Sequence, residues 1–522
     1  MPGFSILQFL GARLWMGALA LLLAGCGGGG GNSVGTAEPL FEQGQFEPAS
    51  EFINRCENPR LSGDFPDQPG SLLTEKFWLR SWVHETYLWF DEITDVDPEP
   101  IPLDTYFFEW LRTDRLTPAG NELDRRSFRF MLPTEEYQAL AESGTSLGYG
   151  VRWLVQRRDP PRSIRVAFVE SGSAAEQAGL RRGDHLERVD GIDVESGDSQ
   201  IINRALSPPE EGESHDFEWR DRDSGLLESA RLTAALVSEE PVPLVKTLDT
   251  AQGQVGYVLF QDHSAVSERA LRDAVVALNQ TGVIDLVLDL RYNGGGFLNI
   301  ANHLAFMIAG PVQTADKVFE ETEFNAKHPN TNPVTGQALR PTPFLSEATG
   351  RFSLPEGEPL PSLELSRLFV LTGGNTCSAS EAIINGLAGI DLEVIQIGNN
   401  TCGKPFGFFP QDNCGTTYAF AQFRGVNDKG FGDYPDGFMP IAPEQEPLTQ
   451  AQLPGCRVED DLSRDLGDPQ EARLAAAMTF YQTGACPQAS GVGVQRLAPA
   501  QVPADGHMPR PAFYRNRILE AN

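Results

Sequence analysis

The chain has 522 residues, 40% hydrophobic and 22% charged, a balance that supports a folded core spread over about two to four domains. Against 72 acidic residues stand 41 basic ones, a formal net charge of −31. That charge excludes the basic face with which nucleic-acid binders displace condensed counterions, and it opposes electrostatic adhesion to anionic lipid.

Leu14 to Ala24 is an apolar run of signal-peptide length, too short to span a bilayer as a helix, with Arg13 as the one side-chain positive charge ahead of it. It ends in Leu23-Ala24-Gly25-Cys26, which resembles a bacterial lipobox. The resemblance implies a lipoprotein signal peptide over 1–25, lipidation of Cys26, and a membrane anchor made of several acyl chains on one cysteine. The expected location is the bacterial cell envelope, facing the periplasm. Gly27 after the cysteine, rather than Asp, favours the outer membrane. Gly27 to Gly31 reads as a flexible tether. The polar, Gly/Pro/Asn-rich stretch that follows extends the tether and linker over 26–70. Six cysteines remain: Cys56, Cys377, Cys402, Cys414, Cys456 and Cys486. An exported setting allows disulfides. Nearness in sequence favours Cys402–Cys414 and Cys456–Cys486, leaving Cys56 and Cys377. No zinc-type spacing occurs and there are 7 histidines, so no metal or other cofactor is expected.

From Leu73 to Phe90 apolar and aromatic residues recur at helical spacing: Phe77, Trp78, Trp82, Tyr87, Leu88 and Phe90. A Pro-rich break precedes a second aromatic helix expected over Thr105 to Leu111. Together these predict a small helical domain over 71–141. Leu147-Gly148-Tyr149-Gly150-Val151 then opens a strand. Downstream, Ser173-Ala174-Ala175 begins a short helix capped by Gly179, followed by a Gly183-Asp184 turn, a strand, and an Asp190-Gly191 hairpin. This pattern resembles a PDZ domain over 146–236. The resemblance implies that the backbone of Gly148, Tyr149 and Gly150 receives a peptide's terminal carboxylate and that the strand from Val151 is extended by the peptide.

Strand and helix signals alternate after that. Strands are expected at Val255–Phe260, Leu286–Leu290, Leu368–Leu371 and Glu393–Ile397. Helices are expected at Ser267–Leu278, Leu298–Ile308, Ser380–Leu387 and Glu471–Gln482, with a long loop over 325–361. The alternation implies an α/β domain over 237–487, followed by a tail over 488–522.

Ser378 falls at the junction between one of these strands and the next helix. Unpaired N–H groups of a first helical turn favour an anion there, as a tetrahedral oxyanion would require. Serine is also a favoured helix cap, and this stretch alone does not separate the two roles. Lys404 follows 26 residues later (404 − 378), in a turn that parallel neighbouring strands bring to the same sheet end. A lysine titrates near ~10.4, and burial lowers that value, which would let it take the proton of Ser378. An ordinary surface lysine is the alternative. Gly294-Gly295-Gly296 could approach a substrate carbonyl closely and donate backbone N–H groups, or serve only as a tight turn.

Taken together, Ser378-Ala379-Ser380-Glu381, Gly403-Lys404 and Asp289-Leu290-Arg291-Tyr292-Asn293-Gly294-Gly295-Gly296 resemble the motifs of the C-terminal processing (tail-specific) serine peptidases. The resemblance runs from about Leu72 to Arg424, with the motifs in family order. It implies a multidomain α/β protein: an N-terminal helical domain, a PDZ domain, and an α/β protease domain with a crotonase-like β-β-α architecture. It assigns Ser378 as nucleophile, Lys404 as base, and the N–H of Gly295 or Gly296 with that of Ala379 as the oxyanion hole. Substrates would be proteins or peptides with free C-termini; an adaptor protein or a second copy of the chain stays open as a partner. Three positions depart from the pattern. Cys377 stands where many members have a small residue, Pro405 where many have Gly, and Phe408 where many have a glutamine that orients the lysine; Gln411 is out of register. A Cys402–Cys414 disulfide is expected to support the lysine loop instead. Two other readings remain: a PDZ-containing lipoprotein scaffold without activity, and an acyl-CoA-type enzyme that shares the glycine turn.

Overall fold

The computed structural model describes residues 38–487, 508 and 517–518. The expected signal peptide, Cys26 and the Gly27–Gly31 tether lie outside the described residues, as does the tail apart from those three positions. Among the described residues no helix is long and apolar enough to cross a membrane.

The segment read as a linker is folded from Pro39 onward. Arg55–Cys56 pairs in parallel with Gln68–Pro69. Ala49 and Phe52 are buried in the same cluster as the aromatics that follow. Cys56 is joined to Cys414. The polar composition hid these few anchors. Helix α1, Leu72–Thr86, starts at Ser71, whose side chain accepts from Thr74 N–H at 3.2 Å. Its aromatics do not close a core of their own. Trp78 packs on Tyr418, with ring centroids 5.3 Å apart, and Trp82 on Phe420 at 4.4 Å. Phe406 belongs to the same cluster. The expected independent helical domain is thus a lobe whose core is shared with residues 406–421. The second expected helix is a short turn, Leu103–Thr105, running into a π-helical turn, Tyr106–Trp110.

Residues 145–238 form a separate small sheet. Its strands run Leu227–Thr233, Ser214–Arg220, His185–Val189, Ser163–Val169 and Val151–Arg157, with the last at an edge. Asp190 (φ 50°) and Gly191 (φ 75°) make the hairpin turn that the Asp-Gly pair predicts. Leu154 and Ala167 turn away from this unit's own core and are buried with Tyr292 and Leu462. The small sheet is thereby seated on the larger one.

The larger sheet contains β1 (Leu244–Thr250), β2 (Gly253–Leu259), β3 (Asp285–Asp289), β5 (Arg367–Thr372), β6 (Glu393–Gly398), β7 (Met439–Ile441) and β8 (Gln452–Arg457). Across the sheet the order is β1-β2-β3-β5-β6-β8-β7, antiparallel at β1/β2 and parallel elsewhere. A two-residue strand, β4 (Gly296–Phe297), leaves the glycine turn and pairs in parallel with Arg517–Ile518. The connections are α2 (Ser267–Thr281), α3 (Leu298–Gln313) and α4 (Ala379–Gly389), with α5 (Ala472–Thr483) following β8. Helix α3 runs past its expected end and kinks at Gly310 (φ 76°), which precedes Pro311.

The strands are buried on both faces, so consecutive residues enter different cores. Leu286 and Leu288 face the cluster of Leu271, Leu304 and Ile383 from α2, α3 and α4. Val287 faces the cluster of Leu474 and Phe480 from α5. Leu368/Val370 against Phe369/Leu371 repeat that split on β5.

Of the two expected disulfides, Cys456–Cys486 is present. Cys402–Cys414 is not: the pairs are Cys56–Cys414 and Cys377–Cys402. Cys414 sits at the tip of a hairpin, Gln411–Asn413 with Thr416–Ala419, which faces the N-terminal segment rather than Cys402. The double substitution Cys56→Ser/Cys414→Ser is expected to cost about 2–4 kcal/mol, because it frees a closure spanning 358 residues. Chemical denaturation in non-reducing buffer checks this; a loss below about 0.5 kcal/mol would contradict it.

Candidate active site

Parallel pairing of β5 with β6 sets the geometry. Leu371 lies opposite Ile397 and Thr372 opposite Gly398, so the loops carrying Ser378 and Lys404 leave the same end of the sheet. Ser378 has φ 60° and ψ −111°, a strained conformation for a residue with a Cβ, at the entry to α4. It is fully buried and its Oγ has no hydrogen-bond partner among the described residues. A buried hydroxyl left unpaired is costly and calls for a reason. The helix-cap alternative supplies none. Ser378 and Glu381 stand in a capping-box arrangement, with Glu381 Oε2 accepting from Ser378 N–H at 2.8 Å.

Glu381 organises the rest. Its Oε2 also accepts from Lys404 N–H at 2.9 Å. Its Oε1 accepts from the Thr401 hydroxyl at 2.6 Å and from Gly403 N–H at 2.8 Å. Burial raises its pKa above the ordinary carboxylate value, and these hydrogen bonds oppose the shift. One side chain from the helix that Ser378 opens thus holds the loop of Lys404. Two more links join the loops: Cys402 N–H donates to Thr376 O at 2.9 Å, and Cys377 is bonded to Cys402. Gly403 is required there. Its φ is 83°, and a Cβ would stand 2.2 Å from Pro435 O.

Lys404 is 1% exposed. Its Nζ donates to the carbonyl oxygen of Phe128 at 3.0 Å and lies 5.2 and 5.4 Å from the ring centroids of Phe128 and Phe408. Phe408, which occupies the place of the glutamine in the motif comparison, packs against the amine. Phe128, from the N-terminal lobe, supplies a hydrogen bond. Sequence reasoning missed Phe128, and nothing in its neighbourhood signals the role.

The glycine turn is tied to the same centre. Asn293 O accepts from Cys377 N–H at 3.0 Å and from the Ser380 hydroxyl at 3.1 Å. Asn293 Oδ1 accepts from Gly295 N–H at 3.0 Å, so this one of the three expected oxyanion donors is already engaged. His263 Nδ1 lies 3.0 Å from the same oxygen, and burial lowers the pKa of this imidazole to about 3, keeping it neutral. At Gly296 (φ 139°) a Cβ would meet His263 O at 2.7 Å. The roles of Glu381, Asn293 and His263 were not foreseen, although the first two stand within the quoted motifs.

Next to the turn lies a buried ionic network. Arg291 donates to both oxygens of Glu471 at 2.8 Å, to Asp289 at 3.0 Å and to Asp460 at 2.9 Å. Burial opposes its charge, but these three carboxylates hold its pKa above the ordinary arginine value. Arg182, from the small sheet, reaches Asp460 at 2.6 Å and also contacts the Tyr292 hydroxyl. Gly148 pairs with Ala235 in a two-stranded sheet, Tyr149 and Gly150 form the turn that follows, and Val151 opens the edge strand of the small sheet; among the described residues none of them takes part in the hydrogen bonds around Ser378. Tyr149 is buried in the small sheet's core, and Gly150 (φ 76°) lies against Ser173. The Cys/carboxylate clusters Cys56–Glu75–Cys414 and Cys377–Glu381–Cys402 have their sulfurs joined as disulfides.

One end of the parallel sheet thus carries a glycine turn after β3, a strained serine after β5 and a buried lysine after β6. Residues 254–412 match the profile of peptidase family S41, and this segment contains all three features. That segment is similar to this family, and the similarity covers 254–412 of the chain. It is 26% identical over 251 residues to the carboxyl-terminal-processing protease of Synechocystis sp., covering 47% of this chain and 58% of that protein. It is 22% identical over 328 residues to carboxyl-terminal-processing peptidase 1, chloroplastic, of Arabidopsis thaliana, covering 62% and 59%. The chain therefore spans less than two thirds of the length of these relatives. Among solved structures, a putative S41 protease from Bacteroides fragilis shares the fold, with TM-score 0.56, 20% identity, 81% of this chain and 99% of that one.

Glu381→Ala leaves four buried donors without their acceptor. It is expected to destabilise the fold by about 3 kcal/mol or more, with Glu381→Gln, which keeps one carbonyl oxygen, losing less. Urea unfolding of both variants checks the order; equal stability of Glu381→Ala and wild type would contradict it.

Proposed function

We propose that the chain is a serine endopeptidase of the C-terminal processing type, working through a Ser378–Lys404 dyad. One observation carries this reading: the buried Ser378 Oγ has no hydrogen-bond partner among the described residues and is held at a strained turn whose backbone N–H shares the Glu381 carboxylate with the backbone N–H of Lys404. Burial of Lys404 disfavours its charged form, the condition for accepting a proton at neutral pH.

The Nζ lone pair takes the Ser378 Oγ–H proton as Oγ bonds to the scissile carbonyl carbon. The carbonyl π electrons move to the oxygen, which the N–H groups of Gly296 and Ala379 stabilise. On collapse the C–N bond breaks, and the leaving amine takes the proton back from Lys404. Water, deprotonated by Lys404, then splits the Ser378 ester. Asn293 holds the glycine turn, and the Phe128 carbonyl aims the amine.

The small sheet is read as a PDZ domain that captures the C-terminal tail of a substrate. The edge strand Val151–Arg157 receives the peptide, and Gly148, Tyr149 and Gly150 lie at the carboxylate end. Lipidation at Cys26 would anchor the enzyme in the bacterial envelope facing the periplasm, with an adaptor protein or a second copy of the chain as a further partner. The scaffold alternative draws on the full covering of Ser378, 0% exposed in this conformation.

Wild type is expected to cleave an unfolded protein, and Ser378→Ala and Lys404→Ala to lose about 10³-fold or more in kcat. Equal cleavage by wild type and Ser378→Ala would contradict the peptidase reading. The rate should fall as pH drops through the ε-amine's pKa, because a protonated Lys404 cannot accept the serine proton. A pH-independent kcat/KM between pH 5 and 9 would contradict that role for Lys404.

A further inference from the structure

Cys377 immediately precedes Ser378, and Cys402 stands two residues before Lys404; the bond between them is buried beside Glu381. We propose that the Cys377–Cys402 disulfide is a positioning element of the Ser378–Lys404 pair, so that the centre is assembled only while this bond is oxidised. This deepens the peptidase reading and rests on it.

The links between the two loops include the disulfide, the Cys402 N–H to Thr376 O hydrogen bond, and the Glu381 carboxylate. The disulfide is the covalent one. It fixes Cys377, the residue next to Ser378, which is held at φ 60°. The Phe408 ring offers the lysine no hydrogen bond, and the backbone of residues 402–404 sets where the side chain that reaches Phe128 O starts.

Reduction alters more than chain freedom. A dithiol such as dithiothreitol supplies two electrons and two protons. The Sγ–Sγ bond breaks, two S–H groups form, and the reagent closes to its own disulfide. Cys402 Sγ lies 3.4 Å from Glu381 Oε2, the oxygen that already accepts from Ser378 N–H and Lys404 N–H. A new S–H donor there competes with both anchors. Cys377 is fully buried and Cys402 partly so as whole residues.

The test compares the full chain with Cys377→Ser/Cys402→Ser and, as control, Cys56→Ser/Cys414→Ser. In Cys377→Ser/Cys402→Ser, kcat should fall about tenfold or more with KM within about twofold, while the control keeps its kcat. Dithiothreitol should lower kcat in wild type, reoxidation should restore it, and neither treatment should change the Cys377→Ser/Cys402→Ser rate. A kcat for that variant within about twofold of wild type, or a loss that only tracks the unfolded fraction by circular dichroism, overturns the proposal. Amide hydrogen exchange needs no turnover and reads the proposal separately from the peptidase reading. Gly403 and Lys404 amides in dithiothreitol-treated wild type should exchange about tenfold faster or more, beyond any change at the β3 amides; unchanged exchange overturns the proposal even in a chain that shows no peptidase activity.

Discussion

The site depends on one buried carboxylate. Glu381 accepts four hydrogen bonds, one from the Ser378 backbone and three from the strand-following loop that ends in Lys404. A buried carboxylate is costly unless such donors surround it, and the donors are costly unless it is there. Each side therefore enforces the other. The sheet brings the two loops to one end, but parallel pairing alone leaves their tips free. Glu381 removes that freedom, and the disulfide beside it adds a covalent constraint.

The same logic of paired burial joins the small sheet to the site. Arg291 follows Asp289 on the strand that runs into the glycine turn. It is held by Asp289, Glu471 and Asp460, and Asp460 in turn accepts from Arg182 of the small sheet. Burial raises the carboxyl pKa of Glu471, but Arg291 outweighs it and sets the value below the ordinary one. The contribution of this group to stability is thus present above its ordinary carboxylate pKa and is lost as pH falls through the lowered folded value. The N-terminal lobe is coupled differently, through the aromatic core it shares with residues 406–421 and through the Phe128 carbonyl.

Much of this was legible in the sequence. The buried strands, the glycine turn, Ser378 at a strand–helix junction and Lys404 after the next strand follow from hydrophobic runs, breakers and motif order. What was not legible depends on three-dimensional proximity. A backbone carbonyl carries no residue signature, so Phe128 could not be found. The Cys402–Cys414 expectation used distance along the chain, whereas the hairpin at Cys414 faces Cys56 and the sheet brings Cys402 to Cys377. Composition made residues 39–70 look like linker because Ala49, Phe52 and Cys56 are few among polar neighbours. Glu381 was quoted as part of a motif, but its role needed the lysine loop to be placed beside it.

The central claim is that Ser378 becomes covalently bonded to the substrate's acyl group. Acid-quenched reaction of the full chain with a peptide ester, followed by proteolysis and mass spectrometry, tests it directly. The account predicts an acyl adduct on Ser378, absent from Ser378→Ala. Steady product formation with no adduct, or an adduct on another residue that persists in Ser378→Ala, would contradict it.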